Sequence, residues 1–351
     1  VVNPTLLCVP LGLTRSLRSV SVSPSRRALP LSAAAVLALA LIVALLQVGR
    51  ADAAPVSAAA GRLAELAGDA READGYAYAL RDDTGRTMDA AEIRQAEDGT
   101  YLAVYHSVLG DDRFHAAVAT STDLRTWTRR HDFGPGTHQA TLAKDPSGGW
   151  VLAFERDPRN HIAVRGYASL DALLTGNADR SFDAPRTLSR CAEGTPAITA
   201  IRGTTIELTG HYRSGCDVDR QLRATLKDFT TWHAEPDLAL DTALRSWGSG
   251  GNIGDRSPVM LDGRDLVVIE GQRLRDDFAS WRTYVYDPAR RRADLLTVRT
   301  HGGSTAVANP SVSLLTAPDG APSLLVSAFI PQEGAADGEA GQLLFWRSLS
   351  D

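Results

Sequence analysis

The sequence predicts an all-β fold, a five-bladed β-propeller, on three observations. A unit made of a short polar cluster and two apolar strands joined by a Gly-containing turn recurs about every fifty residues. Five copies are readable, with second strands at Tyr101 to His106, Trp150 to Glu155, Ile206 to His211, Leu266 to Glu270 and Leu324 to Phe329. Each is about six residues of Val, Ile, Leu and aromatic side chains, too short for a helix. Turn residues such as Asp98-Gly99, Ser147-Gly148-Gly149 and Asp319-Gly320 bound them. No Pro/Ser-rich break follows Gly75, and the roughly 275 residues left suit one domain.

The first segment stands apart from this repeat. Arg26-Arg27 precedes an apolar run from Ala28 to Val48, followed by Ala51-Asp52-Ala53, the small-x-small pattern of a signal-peptidase site. Residues 1–53 are expected to be an export signal that is removed, leaving a secreted, extracellular chain with no stable membrane insertion. Residues 54–74 read as a helical linker, Ala-rich with Leu63 and Leu66 at helical spacing. The propeller domain then spans 75–351. Cys8 leaves with the leader, and Cys191 and Cys216 remain as an even pair in an oxidising compartment, which predicts a disulfide. Closing a loop of about twenty-five residues contributes about 3 kcal/mol in the chain-entropy model.

Three outer segments carry a related phrase: Ser121-Thr122-Asp123-Leu124-Arg125-Thr126-Trp127, Ser169-Leu170-Asp171-Ala172-Leu173, and Leu226-Lys227-Asp228-Phe229-Thr230-Thr231-Trp232. The Asp can cap a tight turn while Trp or Leu packs between blades. The fifth blade lacks an outermost strand, and Tyr76 to Arg81 is expected to supply it, covering unpaired backbone groups.

Composition excludes several functions. The net charge of -5, with both signs mixed along the chain, argues against a nucleic-acid partner, which needs a clustered basic face. No Cys/His cluster has zinc spacing, and no Gly-x-Ser-x-Gly elbow is present. A monomer is expected, with no required cofactor and no metal site in the protein's own motifs.

Blades packed around an axis bring the first residues of their innermost strands to one mouth of a central channel. The third blade opens with Glu193-Gly194-Thr195-Pro196 and the fourth with Asp255-Arg256-Ser257-Pro258, an acid three residues before Pro in both. Asp89, His138-Gln139 and Asn309-Pro310 stand at the corresponding places of the other blades. Neighbouring carboxylates push their pKa values apart, so one holds a proton while the other stays ionised. Glycoside hydrolysis needs that division of labour. Any single acid before Pro can equally be a loop terminator accepting backbone hydrogen bonds. A second ring, His106, Glu155, His211 and Glu270, lies at the ends of the second strands, where it could bind sugar hydroxyls or serve as ion-pair and core partners. The stretch from His211 to Gln221 adds Asp219 and Arg220. Trp247 precedes a glycine-rich run through Asn252 into Asp255, offering an apolar face to a sugar ring or to an interblade crossover.

Five blades, the Ser-x-Asp-Leu-x-x-Trp phrase at 121 to 127 and the Glu-Gly-x-Pro phrase at Glu193 together resemble the five-bladed propeller glycosidases, glycoside hydrolase family 43 and its relatives. The resemblance implies a carbohydrate substrate, arabinan- or xylan-like, with Asp89 as base, Glu193 as acid and Asp255 as the tuning carboxylate. Glu92 is an alternative base. It also implies a structural calcium contacted by His138. Substrate binding is then expected from His138, Glu155, His211, Asp219, Arg220, Trp247, Asn252, Arg256 and Glu270. The sequence departs from the family pattern at Ala90-Ala91, where Asp-Pro is usual, at the extra Thr195, and in the exchanged order of Glu193 and Asp255 around the ring, which leaves open that the roles of these two are swapped. A non-catalytic carbohydrate-binding propeller is the rival reading. A six-bladed sialidase-like fold would want an arginine triad, of which only Arg256 stands at the mouth.

Overall fold

The computed structural model describes residues 56–350, and the export-signal reading of residues 1–53 lies outside the described residues. Helix α1 (Ala58–Ala67) and the short strand β1 (Gly75–Ala77) lead into five four-stranded antiparallel sheets. Blade 1 comprises β2 (Asp89–Gln95), β3 (Tyr101–Val108), β4 (Phe114–Ser121) and β5 (Thr128–Pro135). Blade 2 comprises β6 (Thr137–Lys144), β7 (Trp150–Arg156), β8 (His161–Tyr167) and, after helix α2 (Leu170–Leu174), β9 (Arg180–Asp183). Blade 3 comprises β10 (Glu193–Arg202), β11 (Thr205–Ser214), β12 (Val218–Lys227) and β13 (Thr231–Pro236), followed by helix α3 (Leu238–Arg245). Blade 4 comprises β14 (Ile253–Leu261), β15 (Arg264–Gln272), β16 (Trp281–Asp287) and β17 (Arg292–Leu296). Blade 5 comprises β18 (Ala308–Thr316), β19 (Pro322–Ile330), β20 (Gly341–Ser348) and, as its outermost strand, β1. The innermost strands contact one another in ring order, and β18 meets β2, which makes a five-bladed β-propeller.

All five second strands lie where the sequence puts them, the one in blade 2 longer by Arg156 alone and the others by a few residues. The closing strand is shorter than expected: β1 pairs with β20 from Gly75↔Trp346 to Ala77↔Leu344 and stops before Arg81. Ala79 turns the chain at φ 50°, and Arg81 and Asp82 bridge to Thr87 and Trp127 of blade 1 instead. Both ends of the ring are thereby tied. The turn phrase also behaves as read in its first copy, where Asp123 Oδ1 accepts the N–H of Arg125 at 2.8 Å and of Thr126 at 2.7 Å. In the second copy Ser169 rather than Asp171 caps, on the Ala172 N–H at 3.1 Å, and the segment becomes α2.

Four of the five seams between blades are apolar. Leu102 and Val104 meet Leu152 and Phe154 between blades 1 and 2, and Val151 and Val164 meet Ile206 and Leu208 between blades 2 and 3. Val268 and Val285 meet Val312 and Val326 between blades 4 and 5, where α1 adds Leu63 and Leu66. Tyr105 and Trp127 meet Leu325 and Trp346 between blades 5 and 1. The seam between blades 3 and 4 is different, because α3 packs its Leu240 and Leu244 on Ile269 and Tyr284 of blade 4 and no strand residue of blade 3 joins that cluster. The Cys191–Cys216 disulfide, with Cα atoms 5.5 Å apart, joins the approach to β10 to the turn between β11 and β12. Among the described residues no helix is long and apolar enough to cross a membrane.

Candidate active site at the channel mouth

Every innermost strand begins with the same irregularity. The pairs Asp89↔His106, His138↔Glu155, Gly194↔His211, Ile253↔Gly271 and Ala308↔Phe329 are each followed by a bulge that puts one extra residue on the inner strand. The bulged residues are Ala90-Ala91, Gln139-Ala140, Thr195-Pro196, Gly254-Asp255 and Asn309-Pro310. Ala90, Gln139, Thr195 and Asn309 adopt φ between 45° and 51°, so the chain turns sharply there. Of the bulged residues, Asp255 is the sole carboxylate. This register corrects the sequence alignment, because Pro196 belongs to a bulge while Pro258 lies in the regular strand beyond one. Glu193 and Asp255 therefore occupy different levels of the channel.

The bulges expose backbone N–H groups, and the ends of the second strands satisfy them across the seams. His106 Nδ1 accepts from the Gln139 N–H at 3.3 Å, Glu155 Oε2 from the Thr195 N–H at 3.0 Å and Glu270 Oε2 from the Asn309 N–H at 2.6 Å. Burial, then the nearby His138, pushes His106 down to about 3, so it is neutral and able to accept. Burial raises Glu155, but His211, His138, Asn160 and the Thr195 N–H outweigh it and keep the carboxylate ionised. Gly194 is needed here, since a side chain at that position would collide with the Glu155 carboxylate. Three of the four residues of the second ring are thus interblade ties. The fourth, His211, instead places Nδ1 2.5 Å from Thr195 Oγ1 and Nε2 3.7 Å from Asp219 Oδ1.

Asp255 and Glu270 form the carboxylate pair of the mouth. Glu270 Oε1 accepts the Asp255 N–H at 2.8 Å, and the Asn309 side-chain amide donates to Asp255 Oδ2. Burial is the largest cause raising both groups; the charge of Asp255 adds to it for Glu270, which is pushed up to about 8. Two carboxylates this close share one proton near neutrality. Both members accept hydrogen bonds that favour the ionised form, Glu270 from two backbone N–H groups and Asp255 from the Asn309 amide, so the proton belongs to the pair. Asp255 is the partly exposed member, whereas Glu270 is buried. Arg256 is buried beside them, donating to the carbonyls of Gly254 and, at 2.5 Å, Thr195, and burial pulls it down to about 10. A cavity of about 20 Å³, room for a water-sized group, is lined by Asp255, Arg256, Asn309, Gln139, Ala90 and Glu92.

Of the remaining expected site residues, Glu92 alone lines this cavity. Glu193 is buried and its Oε1 accepts the N–H groups of Leu188 at 2.5 Å and Ser189 at 2.9 Å, which makes it the anchor of the loop before β10. Asp89 is partly exposed at the head of β2, held by the Thr87 hydroxyl at 2.9 Å, and raised by burial. Glu92 accepts from Thr141 Oγ1 at 3.2 Å and the Leu142 N–H at 3.0 Å and pairs with Arg94 at 2.9 Å. Asp219 is forked by Arg213 at 2.9 and 3.0 Å, and its N–H donates to Asn252 Oδ1 at 3.0 Å. Arg220 donates to the Gly251 carbonyl at 2.7 Å. Trp247 donates to the Ala293 carbonyl of β17 at 2.7 Å, on the outer edge of blade 4. His138 stands 3.5 Å from Asp157, with the rings of His106 and Phe114 6.2 and 5.1 Å away. Calcium takes about six to eight oxygens, and this mostly ring-lined surrounding does not fit it. Among the described residues no group of three or more His, Cys, Asp or Glu is placed to hold a metal. Asn309 and Thr195 joined the site without being singled out as site residues; their shared X-Pro dipeptides were the available signal.

No protein-family model matches the chain, and no curated protein matches it. Solved structures do. An α-L-arabinanase of Penicillium chrysogenum complexed with arabinobiose is similar over 80% of this chain and 99% of its own, at 13% identity and a TM-score of 0.52. A thermostable family-43 glycoside hydrolase is similar over 78% of this chain and 92% of its own, at 10% identity and a TM-score of 0.51. A further glycoside hydrolase is similar over 83% and 95%, at 9% identity and a TM-score of 0.55. These likenesses define the class by its fold, the five-bladed propeller that those glycosidases share.

Proposed function

We propose that the chain is an exported glycoside hydrolase whose proton donor is Asp255, with Asp89 as the partner carboxylate and an arabinan- or xylan-like glycan as substrate. The observation that carries this reading is the paired Asp255 and Glu270 at the mouth, joined where Glu270 Oε1 accepts the Asp255 N–H at 2.8 Å, with burial raising both carboxyl groups. In the reaction Asp255 gives its proton to the glycosidic oxygen as the bond from that oxygen to the anomeric carbon breaks. Asp89 takes a proton from the water that attacks the same carbon. The narrow cavity admits the glycosidic oxygen rather than a ring, so the sugar lies across the mouth. The disulfide supports export, since such bonds persist in oxidising compartments.

Asp255→Asn keeps the shape and removes the proton, and release of reducing ends should fall about a thousandfold. Unaltered turnover would eliminate the assignment. The pair is protonated below and stripped of its proton above its upper titration, so activity should decline as pH rises past about 8. A second reading, a carbohydrate-binding propeller without catalysis, is favoured by Ala90 and Gln139, which leave the mouth positions of blades 1 and 2 without a carboxylate. Calorimetric binding of a glycan panel without reducing-end release would establish it.

A further inference from the structure

A cleft of about 990 Å³ runs from the ends of the innermost strands β2, β6, β10 and β14 into the seam between blades 3 and 4, where α3 lines it. That volume lies within the roughly 300 to 1,000 Å³ range of small-ligand sites. Its walls are of three kinds. Leu238, Met260, Val267 and Tyr286 make an apolar side, on which Leu238 and Met260 are 68% and 62% exposed. Six cationic side chains face three carboxylates across the lining, on a chain whose overall charge is -5. Most of those cations are paired, but the Arg291 guanidinium makes no ion pair or hydrogen bond among the described residues and is exposed at the rim, only its backbone N–H being bonded, to the Pro288 carbonyl.

The floor supplies an independent observation. Gln221 is 1% exposed, and its side-chain amide donates to the carbonyls of Ile253 at 2.8 Å and Gly254 at 3.0 Å, while its Oε1 has no partner. Thr209 Oγ1, beside it in the lining, is likewise buried without a partner. A buried acceptor and a buried hydroxyl left unmatched are costly, and a hydrocarbon laid over them would not relieve that cost. A ligand bearing hydroxyl donors would. Hydroxyls for the floor, a carbon-lined face for Leu238 and Tyr286 and an anionic group for Arg291 belong together in one chemical class.

We propose that this cleft binds an acidic sugar, a hexuronate-bearing oligosaccharide, at a site that meets the mouth cavity only at Arg256. The carboxylate pairs with Arg291, ring hydroxyls donate to Gln221 Oε1 and exchange a hydrogen bond with Thr209, and the ring's C–H face lies on the apolar wall. Such a site would hold the protein on an acidic glycan while the mouth works on its own linkage.

Titration calorimetry of the whole secreted chain with trigalacturonate, maltotriose and dodecanoate tests this. Saturable binding of trigalacturonate alone is expected, with affinity falling about tenfold in Arg291→Glu, a change at an exposed position that leaves the melting temperature in place. Gln221→Leu should weaken binding by a similar factor, and its melting curve reports whether the fold survives. Asp255→Asn should bind trigalacturonate as the parent does, so failure of the mouth assignment and failure of this one are separable. No binding of trigalacturonate, equal binding of maltotriose, tighter binding of dodecanoate, or an unchanged affinity in Arg291→Glu would each overturn the proposal.

Discussion

The seam between blades 2 and 3 and the seam between blades 3 and 4 share blade 3, yet they are closed by opposite means. On the first, Ile206 and Leu208 of β11 pack on Val151 and Val164, and the Glu155 carboxylate reaches across to the Thr195 N–H. On the second, Glu207 and Thr209 of the same strand line an open cleft, and the tie is reversed in polarity: Arg256 of blade 4 donates to the carbonyl of Thr195. Thr195 is therefore held by its N–H to blade 2 and by its C=O to blade 4. Polar contacts from β12 finish the second seam, with Asp219 and Arg220 bonded to the loop before β14 and Gln221 to the first residues of β14. A seam made of hydrogen bonds leaves room for a ligand that a close-packed apolar seam does not.

The largest effect that could break this comparison is loss of the Glu155 tie. Glu155→Ala removes the acceptor of the Thr195 N–H and of the Asn160 side-chain amide, both at 3.0 Å, inside a buried seam. A stranded Thr195 N–H, one lost bond at Asn160, whose amide keeps Asp157 at 3.0 Å, and a lost buried anion should cost about 3 kcal/mol in denaturant unfolding. His211→Ala, the corresponding residue facing the open seam, should cost about 1.5 kcal/mol, because Thr195 and Asp219 keep other partners. Equal losses would mean that the two seams bear the same load.

A second comparison uses apolar truncation. Leu208 is buried at 2% exposure in the closed seam, and Leu208→Ala should cost about 3 kcal/mol by lost transfer energy and cavity. Leu238→Ala, on the wall of the open seam, should stay within about 0.5 kcal/mol. A large loss at Leu238 would show that something fills the cleft in the free protein.

Much of this was written in the chain and part of it was overlooked. Three of the second strands are apolar at every position over their middle, as in Leu102-Ala103-Val104-Tyr105, and that of blade 5 is interrupted only by Ser327; such runs mark strands buried on both faces. Thr205-Ile206-Glu207-Leu208-Thr209 alternates instead, and that period of two says that one face of blade 3 meets no apolar neighbour. The repeat revealed the blades and the ring closure; the exception within the repeat revealed the odd seam. The roles of the acids were harder to read. Glu193 and Asp255 look equivalent when counted from Pro, but a bulge adds one residue and moves the count, and bulges leave no length signature in a sequence. Whether a buried carboxylate anchors backbone N–H groups, as Glu193 does at Leu188 and Ser189, or faces a cavity depends on tertiary neighbours from distant segments.

The smallest expected effects give the sharpest comparison, because one substitution should change sign between two places. Thr141 Oγ1 donates to Glu92 Oε1 at 3.2 Å and accepts the Ile198 N–H at 3.3 Å, so Thr141→Val strands the Ile198 N–H while Glu92 keeps Leu142 and Arg94, and should cost about 1 kcal/mol. Thr209 Oγ1 is buried with no partner, so Thr209→Val, of nearly the same volume, removes an unmatched hydroxyl and should stabilise by up to about 1 kcal/mol. Both follow from midpoints of denaturant unfolding at constant slope. Stabilisation at Thr209 accompanied by weaker trigalacturonate binding would mark a residue kept for a ligand at the expense of the fold. Destabilisation at both positions would mean that the floor of the cleft is already satisfied in the free protein, and the polar seam would then be only another way of holding two blades together.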